Sequence, residues 1–251
     1  MWSKFLEWRG VLAIAVFALA SLWLALDGRL GFYIHPRYNL FTIAMATIAV
    51  VLVLIAATTV SKRDHDHDHE HPRRGRRRWK PLDFASLGVT VAVAAAVILL
   101  PPATLSSATA ENRSTNEIDL LSSGPDVSEG MSNEVFATLT VRDWASLIVQ
   151  NQNASFYRGK PVNAIGIVTP VEGRDDVFNL TRFVVTCCAV DAQPVSVPVF
   201  LPDWRSSISA DSWVRIEGGF QPAPAGVMGS PVVVVPVSIT DEEVPREPYL
   251  F

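Results

Sequence analysis

Cysteine is nearly absent from this chain: 251 residues hold two, Cys187 and Cys188, and they are neighbours. A disulfide between adjacent residues needs a strained ring far from ordinary Cα separations, which argues against a structural staple. Charge is scarce as well, at 18% of residues against 49% hydrophobic, a balance expected of a chain that is part membrane-embedded and part water-soluble. The sequence contains no G-x-S-x-G elbow, Walker loop, H-E-x-x-H helix or dinucleotide fingerprint. The motif-borne routes to hydrolase, nucleotide and metalloprotease chemistry are therefore missing. Nor is there a C-x-x-C pair opening a helix, the arrangement that thioredoxin-like exchange uses.

What is plentiful is apolar length. The runs "GVLAIAVFALASLWLAL" (10–26), "LFTIAMATIAVVLVLIAATTV" (40–60) and "FASLGVTVAVAAAVILL" (84–100) each approach the roughly 20 residues that cross a hydrocarbon core. They predict three transmembrane helices in a membrane domain spanning 1–104. Lys4 and Arg9 give the first run a basic start like that of a signal peptide, but "DGRL" follows without a small-x-small cleavage pattern, so the run reads as a retained helix. Between the second and third runs the loop 61–80 carries Lys62, Arg63, Arg73, Arg74, Arg76, Arg77, Arg78 and Lys80. Basic short loops stay in the cytoplasm. The expectation is a multi-pass protein of the bacterial cell membrane, in contact with the lipid bilayer, with a cytoplasmic N-terminus and an extracytoplasmic C-terminal domain.

Residues 105–131, rich in Ser, Thr, Ala, Asn and Pro, read as a flexible linker that buries too little to order itself. A folded domain is expected over 132–251. Thr140 followed by Asp143 forms a capping-box-like start to an amphipathic helix whose inner face carries Trp144, Leu147 and Ile148. Five strand-like runs follow, "PVNAIGIVTP", "FNLTRFVVTCCAV", "PVSVPVF", "SWVRIEGGFQ" and "PVVVVPVSIT", separated by Gly, Pro and Asp. The predicted fold is a mainly-β, OB-like five-stranded barrel with one helix, with a β-sandwich as the alternative. In this domain acidic residues outnumber basic ones, and no nucleic-acid partner is expected, because strand-binding barrels need a positive groove.

Two constellations carry metal-ligand chemistry. Asp64, His65, Asp66, His67, Asp68, His69, Glu70 and His71 alternate carboxylate and imidazole, a pattern suited to loose, exchangeable loading of zinc or another transition metal, or else a solvated loop beside the basic topology signal. Cys187 and Cys188, with Asp191 nearby, could form a soft-metal site. On a regular strand neighbouring side chains point to opposite faces, so joint ligation requires a bulge or turn, which "AVDAQP" could supply. The competing reading is that one cysteine is a small core residue while the other faces a neighbouring strand. His35, in "FYIHPRY", falls on the same predicted side and is a candidate outer-face co-ligand or an interfacial residue between Tyr33 and Tyr38.

The segments "YIHPRY", "VVTCCAVDAQPVSVPV" and "WVRIEGGF" together resemble the YcgQ-like bacterial membrane proteins of unknown function, described as one subunit of a proposed two-component permease complex. The resemblance covers nearly the whole chain, and "TCCAVDA" is its most specific part. It implies a multi-spanning permease partner and a link to zinc. The expected function is a non-enzymatic, membrane-anchored accessory subunit of a permease concerned with transition-metal transport or homeostasis. A membrane-tethered envelope binding module with structural cysteines is the alternative, and a thiol-exchange enzyme is a third.

Overall fold

The computed structural model describes residues 9–63, 88–89, 92–93, 96, 104–113, 131–227 and 229–251. It divides into two units, one of 1–30 with 36–103 and one of 31–35 with 104–251.

The first unit contains helix α1 (Arg9–Leu26) and helix α2 (Asn39–Arg63), which pack against each other. Ala18, Ala20, Leu24 and Ala46 are buried within these helices; small side chains let two backbones approach closely. Leu40, Phe41, Met45, Leu52 and Leu54 stand exposed along α2. Such a continuous apolar surface is not one that water tolerates. Hydroxyls within the helices are returned to the backbone, Ser21 Oγ donating to the Phe17 carbonyl and Thr47 Oγ1 to that of Ile43, which spares them a partner from the surroundings.

The expectation of three membrane helices is corrected here. Among the described residues one helical span, Pro36–Thr58, is long and apolar enough to cross a membrane. The apolar part of α1, Gly10–Leu26, covers only about 25 Å at ~1.5 Å per residue, against a core of about 30 Å. The third run and the loop 64–80 fall mostly or wholly outside the described residues.

Among its described residues the second unit holds three α-helices, α3 (Ser107–Glu111), α4 (Asn133–Ala137) and α5 (Val141–Gln150). Its strands are β1 (Pro161–Pro170), β2 (Val177–Val184), β3 (Gln193–Phe200), β4 (Trp213–Pro222), β5 (Val232–Asp241) and β6 (Tyr249–Leu250). The OB-like five-stranded barrel is corrected to a six-stranded sheet in the order β1-β4-β5-β3-β2-β6, with β1 also pairing with β2. The join between β3 and β5 rests on a single pair, Val199 with Val234. β6 adds in parallel to the far side of β2. The β4–β5 register shifts between Glu217 and Gly218, where Val237 is an extra, bulged residue on β5, and a Cβ at Gly218 would collide with the Val235 carbonyl, so glycine is what permits that close approach.

α5 begins with a true capping box: the Thr140 hydroxyl accepts from the Asp143 N–H, and the Asp143 carboxylate accepts from the Thr140 N–H at 2.8 Å. Its buried face of Trp144, Leu147 and Ile148 joins the main core, where the Trp144 and Phe220 rings meet edge to face at 4.7 Å. The Tyr157 hydroxyl reaches the carbonyls of Leu147 and Asn151, each at 2.7 Å, tying the end of α5 to the 3-10 turn Ala154–Tyr157 that precedes β1, and burial pushes its ionisation well above the ordinary tyrosine range. A second, smaller core gathers Ala110, Ile167, Phe183, Val185, Ala192, Trp213 and Tyr249. Residues 105–113, within the stretch read as linker, belong to this unit: the Ser107 N–H donates to Asp211 at 2.6 Å.

Candidate metal site on the β2–β3 loop

β2 ends at Val184 and β3 begins at Gln193, so both cysteines lie on the connecting loop rather than in a strand. The loop is pinned at its ends and open in its middle. Val185 and Ala192 are fully buried in the smaller core, and the Val185 N–H donates to the Leu250 carbonyl at 2.9 Å. The Arg113 guanidinium grips the outgoing end, donating to the carbonyls of Ala192 and Val190. Between these anchors Cys187 is exposed and Cys188 half-buried, so neither is the buried core residue that the competing reading required.

Asp191 organises the turn. Its carboxylate accepts from the N–H groups of Thr186 at 3.1 Å, Cys187 at 2.7 Å and Cys188 at 3.3 Å, while its own N–H donates to the Cys188 carbonyl at 2.9 Å. One ionised side chain thus satisfies three loop donors that no ladder partner reaches. The chain is folded back so that the two thiols and the Asp191 carboxylate lie within 4.8 Å of one another. This is the turn that joint ligation demands, and these three groups could hold a metal ion. Thiolates at ~2.3 Å from a tetrahedral zinc stand roughly 3.8 Å apart, a spacing inside that 4.8 Å limit. An ionised carboxylate has about four lone-pair sites, so three N–H bonds leave Asp191 capacity for a cation.

A short strip from the segment preceding α2 braces the loop's outer edge. Ile34 and Cys188 form an antiparallel bridge, the His35 N–H donates to the Cys187 carbonyl at 3.0 Å, and the Ala189 N–H donates to that of Tyr33 at 2.9 Å. The His35 ring rests on Phe251 with centroids 4.6 Å apart. The structure therefore brings His35 to the loop through its backbone, while the compact donor group consists of Cys187, Cys188 and Asp191. The tract from Asp64 to His71 lies outside the described residues. Arg113, Tyr33 and Ile34 were not legible as site residues, because their roles depend on pairing across long sequence separations.

Beneath the site, β2 carries Arg182, buried with its Nη2 donating to the Glu247 carbonyl at 2.9 Å and its guanidinium over the Trp213 ring at 5.1 Å. Burial pulls its pKa down to about 10, which leaves it charged at neutral pH. Tyr249, in the same small core, has its ionisation raised by burial. A separate groove of about 670 Å³ is lined by Ile148, Val171, Arg174, Val177, Pro198 and Val227 among others. Arg174 is engaged there by both carboxylate oxygens of Asp176 and by the Ala225 carbonyl, and its hydrogen bonds hold the Asp176 carboxyl below the usual range.

Fold and loop together define a class: a chain with an apolar helix long enough to span a bilayer and a β-sheet unit presenting two thiols and a carboxylate on one braced turn. Residues 10–116 match the DUF1980 N-terminal domain and residues 127–251 the DUF1980 C-terminal domain. The chain belongs to the DUF1980 family, a family of unknown function, in keeping with the YcgQ-like resemblance of its sequence. No curated protein matches it.

Proposed function

We propose that this chain is a non-enzymatic, membrane-anchored accessory subunit that presents a transition-metal site, of the zinc type, to a multi-spanning permease. The observation that carries the reading is the gathering of Cys187, Cys188 and Asp191 donors within 4.8 Å on an open turn. Soft thiolates with one hard oxygen suit zinc better than calcium or magnesium, which take oxygen ligands alone. The exposure of Cys187 favours exchange with an incoming ion over a purely structural role. The span Pro36–Thr58 supplies the anchor. In this reading the unit containing the loop is extracytoplasmic, and the Asp64–His71 tract is a loose store of the same metal. In this reading a partner does the translocating, because the one span among the described residues, Pro36–Thr58, offers no intramembrane charge pair or broken helix to form a path.

The test is made in bacterial cells whose own copy of the chain carries Cys187→Ser and Cys188→Ser. The reading predicts altered cellular zinc content at limiting or excess zinc, with co-purification of a multi-spanning membrane protein retained. Unchanged content of zinc, copper and nickel under both conditions would remove the metal role; failure of the wild-type chain to retain any multi-spanning protein after crosslinking would remove the permease role.

A further inference from the structure

The chain passes between the two units at 30–31, 35–36 and 103–104, and within the second unit all three crossings gather round the β2–β3 loop. In the strip 31–35, Ile34 bridges Cys188, while the N–H groups of His35 and Ala189 donate to the carbonyls of Cys187 and Tyr33. In the segment that starts at Thr104, Leu105 and Ala110 pack into the smaller core with Val185 and Ala192, the two residues that pin the loop. Arg113 then donates to the carbonyls of Ala192 and Val190.

One crossing leads directly into the apolar span. Pro36, its first residue, is bonded to His35, and the 23 residues to Thr58 cover about 34 Å at ~1.5 Å per residue, little more than a hydrocarbon core of about 30 Å. A span of that length begins at the hydrocarbon boundary, and the turn is joined to that beginning through one residue and its hydrogen bond. What the turn presents fits such a place. The stretch Thr186–Val190 holds no acidic or basic residue, and the adjoining Asp191 carboxylate is occupied with three loop N–H groups. Val190 stands 82% exposed although its carbonyl is held, and Tyr33, a residue type that settles at membrane surfaces, is exposed beside it. A lone valine binds lipid weakly, but so short a tether keeps its effective concentration at the surface high.

We infer that the β2–β3 loop rests on the bilayer surface, with the Val190 side chain in the boundary between headgroups and acyl chains. The inference rests on reading Pro36–Thr58 as a membrane span. It puts ion exchange at the Cys187–Cys188 turn next to the bilayer, where a membrane-embedded partner opens.

The experiment places the photo-crosslinking residue benzoylphenylalanine at Val190, Val237 or Leu52 of the full-length chain, one position at a time, in nanodiscs of phosphatidylcholine and phosphatidylglycerol. Mass spectrometry after illumination counts lipid adducts. Leu52, exposed within the span, reports the anchor, and Val237, 89% exposed on β5, reports what any exposed apolar position collects. Lipid adducts are expected at Leu52 and Val190, with Val237 at the level of unilluminated protein. Adducts at Leu52 without adducts at Val190, equal yields at Val190 and Val237, or crosslinks from Val190 to a second copy of the chain in place of lipid would overturn the inference and leave the anchor standing. No lipid adduct at Leu52 would remove the span itself, and the inference with it.

Discussion

Replacing Asp191 by alanine removes the acceptor from three backbone N–H groups at once, those of Thr186, Cys187 and Cys188. A hydrogen bond to a charged group contributes about 1.5–3 kcal/mol net. The three share one carboxylate, and the loop is open at Cys187, so water takes over part of the lost bonding and a plain sum overstates the cost. The expected destabilisation is ~1–2 kcal/mol, read as a lowered unfolding midpoint of the metal-free, full-length chain in detergent. Asp191→Asn, which keeps one acceptor oxygen, should fall between. With the turn relaxed the thiols are no longer held together, and zinc affinity should fall at least about tenfold, beyond the loss of one ligand. A variant with wild-type stability and wild-type affinity would refute the argument that Asp191 both braces the turn and faces the ion.

Thr140→Ala should cost about 1 kcal/mol by removing the cap of α5, measurable by chemical denaturation. Gly218→Ala should cost about 1–3 kcal/mol or more, because the new Cβ meets the Val235 carbonyl at the bulge and backbone must move. In alkali the sign follows from the groups. Tyr157 and Tyr249 keep their protons in the folded state above the ordinary value of 10.0, while the unfolded chain loses them, so stability present below that pH is lost as pH rises beyond it. Arg182, lowered from 12.5 to about 10 by burial, acts in the opposite sense over that window and offsets part of the loss. Tyr157→Phe should therefore flatten the alkaline limb of a melting-temperature profile, at a cost of ~1 kcal/mol for its hydrogen bond; an unchanged slope would count against the assignment.

How far the sequence could be read depended on how local each signal was. β1 coincides with the run "PVNAIGIVTP", and β3, β4 and β5 fall within about a residue of their expected limits, since alternation and flanking Gly, Pro and Asp are local properties. The capping box at Thr140 was equally legible. β2 was drawn too long. "FVVTCCAV" is apolar throughout, and nothing within it announces that the strand ends at Val184; the stop comes from Asp191 reaching back across the turn, a three-dimensional effect with only a weak Asx-type signature. β6, two residues long, is too short to show a period, so five strands were counted where six pair. Apolar length alone made α1 look like a span, but its apolar part falls short of the hydrocarbon thickness. For the site, residue types and a required turn were readable, whereas the brace from Tyr33 to His35 and the grip of Arg113 were not, because no periodicity links residue 34 to residue 188.

The most direct measurement is the zinc content of the full-length chain, purified without oxygen in detergent, beside its Cys187→Ser/Cys188→Ser variant. The account predicts close to one tightly held ion per chain that is lost from the variant, over any looser metal displaced by a mild chelator from the Asp64–His71 tract. Equal tightly bound zinc in both proteins, or none in either, would contradict it.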